Sequence, residues 1–251
     1  ATNADCTLKL NGEVVGQNAT TNKTNTTTLY VNNNSKLIEG YNTWRINCDP
    51  GDNNDLDSSP RTLGIDRTAP TTLHDNTGWY KNTVTINLTA NDTNGAIPIS
   101  GIAQTYYCTD NDNTCYPITA GTTATVSNIG TSYVRFFSTD NANNEEIIKS
   151  TTVNIEQTAP TITLVTPSSD YTQEDNNTVI FRFNSTDTNA SLNHNCTLYI
   201  NNTATNNTLK NNATIETYTN SLQDNIYSWY VSCADLAGNV GTSETRTITM
   251  N

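Results

Sequence analysis

The sequence has few residues that favour helices, few positive charges and no long apolar run. It contains a single methionine, and no window of helix length repeats apolar residues at the period of roughly 3.6 that an amphipathic helix needs. No stretch approaches the roughly 18 apolar residues of a membrane span. Twelve lysines and arginines stand against 24 acids, so the net charge is −12. We expect almost no helix, no membrane span in this segment and no nucleic-acid partner, which would need basic patches.

The residues of a catalytic or zinc site are also scarce. The two histidines, His74 and His194, are isolated in the sequence, and no CxxC occurs. A serine or cysteine nucleophile needs a nearby base, and zinc needs clustered ligands. Paired carboxylates could be drawn from the 24 acids, but small modules with short loops leave little room for a cleft. We expect that the chain is not an enzyme.

Threonine and asparagine dominate what is present. There are 48 threonines and 40 asparagines in 251 residues. Threonine suits strands because its β-carbon is branched, and asparagine suits turns. The composition therefore favours an all-β chain with many short connections.

Two stretches of the chain are near copies of each other. CTLKLN (6–11) matches CTLYIN (196–201), and LIEGYNTWRINC (37–48) matches LQDNIYSWYVSC (222–233). A repeat at such spacing indicates tandem modules. Two joints, GIDRTAPTT (64–72) and NIEQTAPTIT (154–163), divide the chain. Their prolines predict short, stiff linkers between modules at 1–66, 67–156 and 157–251.

The last module shows the alternation of half-buried strands. Val179, Phe181 and Phe183 share one face of their run, as expected for a sheet that covers a core. About seven such runs occupy 157–251, near 160–166, 177–185, 196–201, 206–210, 213–219, 226–234 and 242–250. Short strands at this density predict an immunoglobulin-like sandwich.

The first module is predicted to be incomplete. Its CTLKLN opens at residue 6, whereas nearly 40 residues of the third module precede Cys196. Residues 1–66 then supply strands C to G only, and Leu8, Leu10, Trp44 and Ile46 require a covering sheet. Two strands would come from a longer polypeptide or from another subunit by strand addition. The alternative is that the first module is a smaller variant.

The cysteines are even in number and predict disulfides. The repeat pairs Cys6 with Cys48 and Cys196 with Cys233, which leaves Cys108 and Cys115 as a local pair. Three disulfides imply an extracellular or cell-surface setting, against the alternative of buried free thiols in a cytosolic protein.

N-glycosylation is predicted at several asparagines. The composition alone gives about ten N-x-S/T acceptors by chance, so position matters more than number. Strand parity directs Asn87, Asn91, Asn184, Asn195 and Asn201 away from the core, and the alternative is that any polar strand residue points outward. The thirteen acceptors are Asn18, Asn22, Asn25, Asn33, Asn87, Asn91, Asn176, Asn184, Asn189, Asn195, Asn201, Asn206 and Asn212.

Two acidic loops are weak calcium candidates. Asp110 and Asp112 alternate in the loop between Cys108 and Cys115, but the turn glycine and closing glutamate of an EF-hand are missing. The run DPGDNNDLD (49–57) is also acidic. Solvated turns explain both loops better. We expect no cofactor beyond covalent N-glycans.

The middle module contains WYKNTVTINLTANDTNGAIPISGIAQTYYC (79–108) and YVRFFSTDNANNEE (133–146). In these two motifs it resembles the Ig-like modules of prokaryotic, archaeal or bacterial, cell-surface glycoproteins. The resemblance implies a surface location and an Ig-like fold, and it is nearly silent on activity. The third module carries the same turn as CADLAGNVG (233–241), with Asn143 replacing its glycine in the middle copy. The matching residues are Trp79, Val84, Thr85, Leu88, Thr89, Ala90, Asp92, Ser100, Gly101, Tyr106, Tyr107, Ser138, Thr139, Asp140, Asn141, Ala142 and Asn144.

Two functions follow as hypotheses. The first is a structural, non-catalytic subunit of an extracellular glycosylated fibre or surface stalk, which self-associates by strand complementation or continues in a longer chain. The second is an adhesin or carbohydrate-binding module, for which exposed aromatics could stack on sugars. Those aromatics are Trp79, Tyr80, Tyr106, Tyr107, Tyr199 and Tyr230.

Overall fold

A computed structural model describes residues 4–21, 28–32, 34–50, 55–93, 100–174, 177–187, 193–211 and 213–251. Within these ranges strands dominate, and the single helical element is a 3₁₀ turn at Asn34–Lys36. No helix in the described part of the chain is long and apolar enough to cross a membrane. The all-β prediction is therefore confirmed.

The first module forms one antiparallel sheet. Its strands are β1 (Ala4–Leu10), β2 (Glu13–Thr21), β3 (Gly40–Asp49), β4 (Leu56–Asp57) and β5 (Arg61–Ile65). The order is β2-β1-β3, and both β4 and β5 pair with β3. No second sheet faces it among the residues described for this module.

The second module is a sandwich of two sheets. One has the order β10-β9-β12-β13-β7 and the other β11-β8-β6. The short strand β7 runs parallel to β13, whereas the other pairs are antiparallel. The strands are β6 (Thr71–His74), β7 (Trp79–Tyr80), β8 (Val84–Asn91), β9 (Ile102–Asp110), β10 (Thr119–Ala120), β11 (Thr123–Val126), β12 (Gly130–Asp140) and β13 (Lys149–Ile155).

The third module repeats this architecture. A three-stranded sheet, β14-β16-β19, faces a larger one with the order β15-β22-β20-β17-β18, and β21 pairs with β20. The strands are β14 (Thr161–Thr166), β15 (Tyr171–Gln173), β16 (Thr178–Thr186), β17 (Asn193–Ile200), β18 (Thr203–Asn211), β19 (Ile215–Ser221), β20 (Asn225–Ala234), β21 (Val240–Thr242) and β22 (Arg246–Met250).

The cores of the second and third modules lie between their sheets. In β16 the buried positions alternate strictly with exposed or half-buried ones, as the period of two requires. Phe181 of this strand packs edge-on against Trp229 of the opposite sheet, with ring centroids 4.9 Å apart. Both side chains are fully buried. The predicted tandem β-sandwich architecture is therefore confirmed, while the described residues of the first module form a single sheet.

Candidate functional site

The sheet of the first module carries an apolar face that is only partly covered. The register of β1 with β3 sets Leu8 opposite Ile46 and Leu10 opposite Trp44, so these four side chains share a face. Leu10 is buried, but the other three are half-exposed. Trp229, which holds the place of Trp44 in the repeat, has no exposed surface. The difference marks a face that no second sheet covers within the described residues.

Residues 28–32 contact β2, the strand at one edge of this sheet. The N–H of Asn32 donates to the carbonyl of Val15, 2.8 Å away. A Cβ on Gly16 would come within 2.1 Å of the carbonyl oxygen of Tyr30, so the segment needs a glycine beneath it. By its distance from the repeated tryptophan, the corresponding segment of the third module overlaps β19, which pairs with β16. Residues 28–32 form no strand, because no counterpart of β16 is present in the described part of the first module.

Three acids converge at the joint between the second and third modules. Glu156 follows β13, Asp187 follows β16 and Asp235 follows β20. Each contributes a carboxylate oxygen, and these oxygens lie within 4.8 Å of one another. Glu156 and Asp235 are buried, at 3% and 8% exposure. We call Glu156, Asp187 and Asp235, with the neighbouring Asn239, the second-joint cluster.

Asn239 ties this cluster together. Its Nδ2 lies 2.8 Å from the Glu156 carbonyl oxygen, 2.9 Å from Glu156 Oε2 and 2.9 Å from Asp235 Oδ2. Its backbone N–H donates to Asp235 Oδ1. The amide therefore links the end of the second module to a turn of the third.

The two buried carboxyls differ in acidity. Burial raises the pKa of Glu156, and a hydrogen bond with Asp235 raises it further. Burial also acts to raise the pKa of Asp235, but hydrogen bonds from Glu156 and Asn239 outweigh it and lower that pKa. As the pH falls, Glu156 is therefore the first of the two carboxyls to take up a proton.

The joint between the first and second modules is built alike. Carboxylate oxygens of Asp66, Asp92 and Asp140 also lie within 4.8 Å of one another. Asn144 donates to the Asp66 carbonyl and to Asp140, as Asn239 does at the second joint. Asp92 accepts from the N–H of Gly101 at 2.7 Å. The acids that precede the two Thr-Ala-Pro sequences thus occupy equivalent places.

Sequence reasoning missed these clusters, and its weak calcium candidates were the two acidic loops at 49–57 and 109–114. The sequence does contain a signal for these clusters. Asp66 and Glu156 are each followed by an Asp-Thr pair at the end of the next long strand, and then by a D-x-A-x-N turn at 140–144 or 235–239. Distance in the chain concealed it, because the three acids of a cluster are separated by up to 79 positions, from Glu156 to Asp235.

The predicted acidic loop of the second module has a structural arrangement of its own. Asp110 accepts hydrogen bonds from the backbone N–H groups of Asn113, Thr114 and Cys115. Desolvation acts to raise the pKa of Asp110, but these bonds outweigh it and lower the pKa to about 2. Asp112 accepts from the Thr114 hydroxyl at 2.8 Å. These carboxylates close the loop, while residues 51–54 of the other acidic run lie outside the described residues.

Three disulfides form between the cysteines that the sequence pairs. They join Cys6 to Cys48, Cys108 to Cys115 and Cys196 to Cys233. The first and third connect directly opposed residues of neighbouring strands. His74 packs edge-on against Phe136. His194 lies 2.9 Å from the Ser185 hydroxyl, and both of these side chains are buried in the third module.

The predicted glycosylation acceptors differ in exposure. Asn87, Asn91, Asn195 and Asn201 are exposed, whereas Asn184 and Asn206 are half-buried. The side chain of Asn18 and the whole of Asn22, Asn25, Asn33, Asn176, Asn189 and Asn212 lie outside what the structure describes.

The predicted aromatic residues are scattered over several faces. Tyr107 packs against the core of the second module, and Tyr106 stacks on Phe137 with ring centroids 5.3 Å apart. Tyr199 and Tyr230 form a parallel pair at 4.8 Å beside a shallow polar groove. Trp79 and Tyr80 are half-buried in β7.

No protein-family model matches the chain, and no curated protein matches it. Solved structures similar in shape include the fibronectin(III)-like modules of Clostridium thermocellum CbhA, with 13% identity, TM-score 0.49 and coverage of 72% of this chain and 94% of that one. The chicken CNTN1 FN1-FN3 domains have 11% identity and a TM-score of 0.42, with coverage of 100% of this chain and 89% of that one. Extracellular domains 3-5 of Drosophila OTK have 13% identity and a TM-score of 0.33, with coverage of 99% of this chain and 86% of that one. At these values the likenesses say nothing about activity.

Proposed function

We propose that this chain is a non-catalytic structural segment of an extracellular, glycosylated array of Ig-like modules, whose first module is completed by strands from outside residues 1–251. The half-exposed apolar face of the first sheet is the observation that carries the proposal. Large side chains gain about 1.5–3 kcal/mol each on full burial, so an open face of this kind favours a cover.

The disulfides support the extracellular setting. All six cysteines are paired, and Cys196 and Cys233 are buried in the core of their module. Such bonds persist in oxidising compartments and are rare in the cytosol. The strand-rich modules then serve to span distance or to present a surface.

The missing strand has a defined character. It would pair with residues 28–32 on one edge, and its alternate apolar side chains would cover Leu8, Trp44 and Ile46. β16 does this in the third module through Val179, Phe181 and Phe183. A strand with that pattern, from a preceding segment or from a neighbouring subunit, would complete the sandwich by β-strand addition.

A peptide of residues 177–186 tests the open face. We expect it to bind the full chain with saturation and to protect the amides of 28–32 and the ring of Trp44, measured by hydrogen exchange and NMR. Ile46→Lys should abolish binding, because a charge would enter the covered face. The matched control is Ile180→Lys in the full chain, with the peptide unchanged. Ile180 is exposed on the third module, so this variant should still bind the peptide. Absence of binding to the wild-type chain, with residues 28–32 already protected, would overturn the proposal.

Sedimentation and electron microscopy separate the two sources of the strand. Concentration-dependent filaments that Ile46→Lys prevents would place the donor in a neighbouring subunit. Monomers that still bind the peptide would place it in a longer chain. The alternative function, a carbohydrate-binding surface, is favoured by the groove beside Tyr199 and Tyr230, and glycan-array binding lost in Tyr230→Ala would support it.

A further inference from the structure

We propose that the second-joint cluster binds a divalent cation of the calcium class, which fastens the end of the second module to the turns of the third. The site would use carboxylate oxygens of Glu156, Asp187 and Asp235, joined by the side-chain oxygen of Asn239. This proposal concerns the joint and is independent of how the first module is completed.

Charge is the first observation. Three carboxylates approach within 4.8 Å, and two of them are almost fully buried. Like charges at such distances in a low-dielectric setting repel strongly unless a proton or a cation neutralises them. No lysine, arginine or histidine of the described chain forms an ion pair with Glu156 or Asp235.

The second, independent observation is the side chain of Asn239. It is 1% exposed and directed into the cluster, yet its Oδ1 has no hydrogen-bond partner among the described residues. Its Nδ2 carries two hydrogens but lies within 2.9 Å of three acceptor oxygens. A buried oxygen without a donor is costly. Rotation of the amide by half a turn would turn Oδ1 towards the carboxylates, where a cation would satisfy it.

The chemistry of the donors selects the ion. All the available groups are oxygens, with no sulfur or imidazole among the described residues of the cluster. Calcium accepts six to eight oxygen ligands from carboxylates, amides, carbonyls and water in flexible geometry. Magnesium demands a stricter octahedron and gives up water reluctantly, so it should bind more weakly here.

The position of the cluster gives the ion a mechanical role. Glu156 directly follows β13, and its backbone N–H donates to the Tyr80 carbonyl of the second module. Asp187 and Asp235 follow two strands of the third module on opposite sheets. A shared cation would hold all three segments together at the proline-containing linker.

Calcium titration of the EGTA-treated full chain tests the proposal. We expect calorimetry to show a bound Ca²⁺ at this joint and scanning calorimetry to show a higher melting temperature in CaCl₂ than in NaCl of equal ionic strength. Glu156→Gln should weaken binding at least about tenfold, since it removes a charged ligand. In EGTA, however, this variant should melt no lower than the wild-type chain, because one of three like charges has been removed.

Asn239→Asp and Asp224→Asn complete the set. Asn239→Asp should bind calcium more tightly and melt lower in EGTA, because it adds a fourth carboxylate. Asp224→Asn alters an exposed acid of the same module and should change neither quantity. A second bound ion that Asp92→Asn removes would extend the proposal to the first joint. Lack of calcium binding, or binding and stabilisation that survive in Glu156→Gln, would overturn it.

Discussion

At the residue scale, the joint between the second and third modules depends on a glycine as well as on the side chains of the second-joint cluster. Gly241 in β21 has ordinary backbone angles, but a Cβ at this position would lie 1.8 Å from the carbonyl oxygen of Pro160. The linker thus passes against bare backbone of the third module. The sequence could not predict this close approach, because a glycine next to a turn is interpreted as a residue of the turn.

Replacing Gly241 by alanine should destabilise the third module by about 1–3 kcal/mol, the usual range for overpacking a tight contact. Backbone atoms must move, since no flexible side chain can give way. Gly64→Ala is the matched control, because the nearest atoms to its new Cβ would be those of the Tyr41 ring at 3.8 Å. Denaturant unfolding followed by tryptophan fluorescence measures both. Equal stability of the two variants would contradict the close approach.

At the element scale, long alternating strands were predictable and short ones were not. The run expected at 177–185 is β16, and that at 226–234 is β20. β15 was missed, because a strand of three residues paired in parallel carries no periodic signal. The run expected at 242–250 is interrupted after Thr242 and resumes at Arg246. Residues 28–32 show the converse: a strand-like sequence stays irregular when its ladder partner is missing.

The two repeat-related tryptophans should respond differently to truncation. Trp229→Ala should cost about 3–5 kcal/mol, because the ring is wholly enclosed by the third module. Trp44→Ala should cost clearly less in the chain alone, since its ring is half-exposed and contacts Arg61 from one side. Urea unfolding of each variant, with and without the 177–186 peptide, provides the measurement. Peptide should raise the cost of losing Trp44 and leave that of Trp229 unchanged. Equal costs without peptide would mean that the first module already has its cover.

At the scale of the whole molecule, the second and third modules share one architecture, and each is preceded by a joint with three clustered acids. Sequence repetition predicted the modules, the disulfide pairs and the linkers, since each leaves a local signature. It could not predict the joint clusters, which assemble from a linker and two distant turns. It also could not fix the exposure of each glycosylation acceptor, because strand parity gives the face of a residue and not what packs beside it.

Asn184 and Asn195 provide the sharpest case among those acceptors. Parity directs both away from the core, yet Asn195 is exposed while Asn184 is half-buried, with its Oδ1 enclosed and without a hydrogen-bond partner among the described residues. A glycosylated asparagine needs open solvent around its amide. Glycopeptide mass spectrometry of the chain from a glycosylating host should therefore find Asn195 occupied more fully than Asn184.

Asparagine-to-glutamine variants, and the number of glycans on each module, extend this test. Asn195→Gln should remove the mass of one glycan, whereas Asn184→Gln should leave the mass of the glycosylated chain nearly unchanged. The second module, with acceptors only at Asn87 and Asn91, should carry fewer glycans than the third. Equal occupancy at Asn184 and Asn195 would show that burial in the folded module does not control attachment, as expected if glycans are added before the strand is folded.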